Sequence, residues 1–219
     1  MFARADQSAV LLNGALQLAL SKKLSALTST ELAAKFPRRA QRPLAAYADR
    51  DGNATLAVTL ARQSRPVTQQ NLRQILANTT QTLPKLVPGM TIRASELVEL
   101  AGRHWARITF SAPAADNTTV FNDMFLTSFR GELLGVNLSA TTDRWPQSQP
   151  TLSESLLSIS IRECLENFAR GVSSWFGAVG SRFPHRRAVC ATSCSPDGPK
   201  NLFFLAIFMR SCLCEIFLG

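Results

Sequence analysis

The sequence predicts an α+β fold: an antiparallel β-sheet flanked by helices in an α/β/α sandwich, occupying residues 1–162. Three observations predict it. Between Thr91 and Ser139, short apolar runs are separated by Ala101-Gly102 and Arg130-Gly131, the pattern of an antiparallel meander joined by tight turns. Two capped stretches, Leu27–Phe36 and Val67–Leu83, precede that meander with helical spacing, and the longer carries a single apolar stripe that must lie on a sheet. Hydrophobic residues make up 46% of the chain, enough to build a core.

Taken in order, Val10 to Leu20 reads as a first strand with Asn13-Gly14 as a turn or bulge inside it. In Leu27–Pro37, Thr28 and Glu31 have capping-box spacing and Leu27 and Leu32 that of a hydrophobic staple. Pro37 stops the helix after about two turns. Pro43–Ala48 and Ala54–Ala61 read as a hairpin around Asp51-Gly52. Leu56, Val58 and Leu60 share one face of it. Thr68 is expected to cap a helix from Gln69 to Leu83, with Leu72, Ile75, Leu76 and Leu83 as its stripe and Pro84 as its end.

In the meander, Ala106, Ile108 and Phe110 lie on one strand face, Trp105, Arg107 and Thr109 on the other. Val120–Phe129 is apolar on both faces and suits a central strand covered on both sides. Thr151–Ile161 reads as a short closing helix with Pro150 at its first position.

The order strand, short helix ending in Phe36-Pro37, hairpin, long helix, meander and closing helix resembles the PsbP-like α/β sandwich. That superfamily includes PsbP of the oxygen-evolving complex, a yeast Ran-binding release factor, bacterial DcrB lipoproteins and adaptor chaperones of type VI secretion effectors. The details are most similar to a bacterial branch of unknown function. They are the segment Phe36-Pro37-Arg38-Arg39 before a strand and an Asp-Gly turn, then Ser111-Ala112-Pro113-Ala114 with Phe121-Asn122 downstream. The resemblance implies a PsbP-like α/β/α sandwich that binds partners rather than catalysing. The short Arg-bearing pattern of the secretion chaperones is not seen here.

No motif assembles a catalytic site. His104 is the only histidine of the body and stands without a second His or a Cys beside it. There is no nucleophile elbow and no Gly-rich phosphate loop. No cofactor, catalytic residue or metal ligand is therefore assigned. The net charge of +9 favours an acidic partner, but the positive residues are scattered, with Arg38, Arg39 and Arg42 the one tight group. A nucleic-acid ligand would need a basic stripe with stacking aromatics. The apolar run Ala9–Leu12 is broken by Asn13-Gly14 and does not read as a secretory signal, which makes the cytoplasm the expected compartment.

Residues 163–219 differ in texture. They hold Cys164, Cys190, Cys194, Cys212 and Cys214, every cysteine of the chain, and more than half of its phenylalanines. The spacings around His185, Cys190, Cys194, Cys212 and Cys214 do not match the paired turns of a structural zinc site. Two readings compete: a Cys/Phe-rich extension, degenerate or out of frame, and a membrane anchor at Leu202–Leu218. The Leu, Ile and Phe of that stretch contribute about −5 kcal/mol toward insertion. Arg210 costs about +3, and polar residues bring the balance near zero, which favours the first reading. The expected role is a non-enzymatic adaptor or chaperone-like module for a protein or peptide, the alternative a membrane-associated envelope protein. Trp105, Arg107 and Asn122 are the candidate binding residues, because Trp and Arg dominate binding hot spots and lie here opposite the face of Ala106, Ile108 and Phe110.

Overall fold

A computed structural model describes residues 7–37, 42–114 and 118–162; the expectations placed on residues 163–219, zinc ligands and anchor included, lie outside the described residues. The core is a seven-stranded antiparallel sheet built from β3 (Ser25–Ala26), β4 (Ala45–Ala48), β5 (Ala54–Ala61), β6 (Thr91–Leu100), β7 (Arg103–Pro113), β8 (Thr119–Phe129) and β9 (Glu132–Thr141). Its order is β3-β4-β5-β9-β8-β7-β6. A three-stranded sheet, β1 (Gln7–Leu11), β2 (Leu16–Leu20) and β10 (Ser160–Ile161), packs with α3 (Trp145–Leu157) against one face. The opposite face carries α1 (Ser29–Lys35) and α2 (Leu72–Leu86). The expected α+β sandwich, covered on both sides of the sheet, is the observed architecture.

Period-two alternation divides the apolar residues. Leu56, Val58, Trp105, Phe125, Phe129, Leu134, Val136 and Leu138 pack toward the small sheet and α3. Ala106, Ile108, Phe110, Met124, Leu126 and Leu133 pack toward Leu72, Ile75 and Leu83 of α2. Full burial of each such aliphatic side chain is worth about 1.5–3 kcal/mol, so the α2 stripe is a main attachment of that helix. The meander turns follow from their residues. Ala101 and Gly102 take φ of 54° and 69°, Arg130 and Gly131 of 50° and 79°, so both central positions are left-handed as a two-residue hairpin turn demands.

Helix α1 begins as the sequence dictates. The Thr28 side chain accepts from the Glu31 amide, while the Glu31 carboxylate accepts from the Thr28 amide at 2.7 Å. Those bonds hold Glu31 below the usual carboxylate range. At its other end Lys35 donates to Thr55 Oγ1 at 2.8 Å and to the Gly52 carbonyl at 3.5 Å. Burial lowers the pKa of that ammonium, against the opposing pull of Asp49 and Glu31.

Four expectations need correction. Val10–Leu20 is not one strand but lies in two, β1 and β2, and of the two alternatives at Asn13-Gly14 it is the turn that is found: Leu12, Asn13 and Gly14 all take positive φ and close a hairpin. Helix α2 starts at Leu72, capped at Asn71, and not at Gln69. Asn71 Oδ1 accepts from the Thr68 amide, so Thr68 lies outside the helix, and Pro84 sits inside it one turn from the end. Helix α3 starts at Trp145, with Pro146 in the first turn and Pro150 inside; Ile161 belongs to β10. A proline near a helix end forfeits one hydrogen bond that the surrounding packing offsets.

Candidate functional site

The face of the large sheet under the small sheet and α3 is not uniform. Toward the β6–β7 turn it is apolar, around Trp105, Phe125 and Phe129. Further along the same strands it turns polar: Glu96 on β6, Arg107 and Thr109 on β7, and Asp123 on β8. Glu96 pairs with Arg107 and Thr109 with Asp123 in register. Arg107 is the centre of this patch. Its Nε donates to Asp123 Oδ1 at 2.9 Å, Nη2 to Asp123 Oδ2 at 2.9 Å, and Nη1 to Glu96 Oε1 at 3.2 Å. Its guanidinium lies 5.5 Å from the centroid of the Phe125 ring.

These contacts follow from strand geometry. Adjacent strands bring side chains of one face within reach of each other, so three charges of alternating sign on neighbouring strands form a row, Asp123, Arg107, Glu96. The Asp123 side chain is 5% exposed and Arg107 satisfies both of its oxygens, whereas the Arg107 side chain is 33% and the Glu96 side chain 50% exposed. Hydrogen bonding to Asp123 raises the Arg107 pKa above its ordinary value, against the smaller opposing effect of burial. The guanidinium is thus permanently charged, fixed on two sides and open on the third. Beside the patch, Trp145 at the start of α3 packs on Phe121 of β8 with centroids 4.3 Å apart, and Arg93 lies 5.7 Å from the centroid of the same Phe121 ring.

The three candidate residues do not share one surface. Trp105 is fully buried, its indole donating to the Leu100 carbonyl at 3.0 Å. Asn122 is fully buried on the opposite face, accepting from Asn137 Nδ2 at 3.3 Å and donating to the Val120 carbonyl at 3.3 Å. Only Arg107 reaches solvent. Sequence reasoning missed Asp123 and Glu96, although a meander in its correct register sets both beside Arg107.

A second feature lies at the β6–β7 turn, where a cleft of about 340 Å³ is lined by Gln69, Glu99, Gly102, Arg103 and His104. The β7–β8 ladder ends at Ala106–Leu126, and Gln69 fills the gap beyond it. Its side-chain amide donates to Thr127 Oγ1 at 3.0 Å and Ser128 Oγ at 2.8 Å, and its Oε1 accepts from the His104 amide at 3.0 Å. That role as a bridge explains why residue 69 stands outside α2. Among the described residues no three His, Cys, Asp or Glu side chains converge as a metal cluster would require, and no helix is long and apolar enough to cross a membrane.

No protein-family model matches the chain, and no curated protein does. Solved structures do. A cyanobacterial PsbP (CyanoP) from Synechocystis sp. superposes with a TM-score of 0.52 at 13% identity, over 71% of this chain and 92% of that one. A protein from Bacteroides thetaiotaomicron superposes with a TM-score of 0.50 at 7% identity, over 73% of this chain and half of that one. At such identities the likeness is one of fold, and the fold is PsbP-like.

Proposed function

We propose, with the PsbP-like fold as premise, that this chain is a non-enzymatic protein- or peptide-binding module, adaptor or chaperone-like, whose docking surface centres on Arg107. The observation that carries the reading is the fixed guanidinium. A bidentate carboxylate on one side, a second carboxylate on the other and an aromatic ring beneath hold it in one orientation while a third of it stays open. Binding to a side chain already ordered loses less conformational entropy than ordering a free arginine, and arginine beside aromatics is the composition of binding hot spots. In this reading Trp105 supports the surface from below, and Asn122 fixes the sheet from the opposite side. Residues 1–162 form the binding domain, and residues 163–219 are an extension appended to it.

The test is affinity capture with the full chain, followed by titration of whatever is recovered in stoichiometric amount. A saturable complex weakened about tenfold or more by Arg107→Glu, in a variant that melts as a folded protein, supports the reading. A partner bound equally by both proteins, or turnover of a small molecule that depends on the same residue, overturns it.

A further inference from the structure

Strand β6 is an edge. Among the described residues it pairs only with β7, and the bulge that irregularises it is confined to Arg93, between Ile92 and Ala94. From Ala94 to Leu100 seven consecutive residues keep an unbroken register with β7, as long as an ordinary whole strand. Proteins keep an edge from pairing by shortening, bulging, covering or charging it, and along its regular part β6 has only the last of these, Glu96 and Glu99, which a segment of opposite charge would satisfy. This edge is bulged at one end and regular for the remainder, and an extended peptide can add to it through main-chain hydrogen bonds.

The side chains say which peptide. The charge row runs Asp123, Arg107, Glu96, negative, positive, negative, and stops at the free edge with Glu96 half-exposed and only its Oε1 engaged, to Arg107. One strand further out, a cation would continue the row. Three residues along, Glu99 is exposed on the other face of β6, and between the two stand Leu97 and Val98, each half-buried. We propose that β6 accepts an extended segment of a partner protein with the quartet basic-apolar-apolar-basic, its basic residues opposite Glu96 and Glu99 and its apolar pair opposite Leu97 and Val98. The proposal deepens the binding-module reading and rests on it.

Charge complementarity also separates this occupant from two others. A second copy of β6 laid antiparallel in the register that pairs Leu97 with Val98 would set Glu96 against Glu99 twice, and like charges directly opposed repel. Outside β7, the nearest matches in the chain's own sequence, Lys35-Phe36-Pro37-Arg38 and Arg182-Phe183-Pro184-His185, each carry a proline, which has no amide to donate to a strand ladder, so neither supplies the pattern. The quartet reads the same in both directions, so it fits a parallel or an antiparallel approach.

The experiment uses the full chain and two fluorescein-labelled peptides, acetyl-Thr-Lys-Val-Ile-Lys-Thr-amide and its counterpart with glutamate in place of both lysines. Anisotropy titration reads affinity, and amide hydrogen exchange locates the site. The expected result is saturable binding of the lysine peptide, about tenfold or more tighter than the glutamate peptide. Slowed exchange should be confined to residues 94–100. The preference should reverse in the double variant Glu96→Lys, Glu99→Lys. Equal affinity for both peptides, no saturable binding, or protection elsewhere overturns the proposal. So does a β6 already protected in the free chain, which would mean that a second copy or the chain's own C-terminal residues occupy it. If a partner captured through Arg107 binds the Glu96→Lys, Glu99→Lys variant undiminished, the edge proposal fails while the binding-module reading stands.

Discussion

If Arg107 is fixed by Asp123, the two residues must be energetically coupled, and a double-mutant cycle measures the coupling. Arg107→Met keeps much of the aliphatic stem over Phe125 and removes the charge; Asp123→Asn keeps the shape of the carboxylate and removes its charge. At hydrogen-bond contact and an effective dielectric near 20, a unit pair attracts by about 4 kcal/mol. Taking the nearly buried Asp123 out of water offsets much of that, and the one-third exposure of Arg107 screens more. We expect Arg107→Met to cost about 2–3 kcal/mol, because it strands a buried carboxylate, and Asp123→Asn about 1. The coupling from urea melts of the four proteins should be about 1.5–2 kcal/mol. Glu96→Gln, at a half-exposed position, should change stability by less than about 0.5 kcal/mol. A coupling under about 0.5 kcal/mol would mean that the bidentate pair is a loose surface contact, and the argument from a preordered guanidinium would collapse.

Three further outcomes are expected. Ile75→Asp, fully buried against Ile108 and its neighbours, should cost several kcal/mol, about 3 or more, while exposed Arg73→Asp should be near neutral; equal melting temperatures would dismiss the α2 stripe. Lys35 has a lowered native pKa, so the unfolded chain binds more protons between that value and the ordinary lysine value of 10.5, and its contribution to stability should rise as pH climbs through that window. Lys35→Met should lack this alkaline rise, and an unchanged pH slope in paired denaturation curves would contradict the burial of the ammonium. A chain ending after Arg162 should melt cooperatively, since the described core clusters lie within residues 9–161; an unfolded circular dichroism spectrum would make the remaining residues part of the core.

What could be read from the sequence was what local chemistry decides. Thr28 with Glu31 announced a helix start, and Ala101-Gly102 and Arg130-Gly131 announced turns, because those bonds and φ values involve only neighbours. Gln69 could not be placed the same way: its side chain bridges β7 and β8, more than thirty residues downstream, and that task keeps it out of the helix. The candidate site failed for a related reason. Alternation set Trp105 and Arg107 on one face, but which of them is covered depends on the small sheet and α3, assembled from both ends of the domain. Asn122 followed from strand parity too, once the register was known. Asp123 was legible only as the one charged residue of a buried strand, a signal in its own right, since such a residue needs a partner.

The pairing of β10 with β2 has a bearing on how the molecule is made. Ile161 sits opposite Leu16, and the Arg162 amide donates to the Ala15 carbonyl at 2.7 Å, so the small sheet joins the first and last described elements. During synthesis the meander from Thr91 to Thr141 can close hairpin by hairpin as it leaves the ribosome, across two-residue turns at β6–β7 and β8–β9 and a five-residue connection at β7–β8. The β1–β2 hairpin must meanwhile wait for a strand some 140 residues behind it before its small sheet is complete. Contacts of such high sequence separation slow folding, so the small sheet is expected to be the last part of the domain to close.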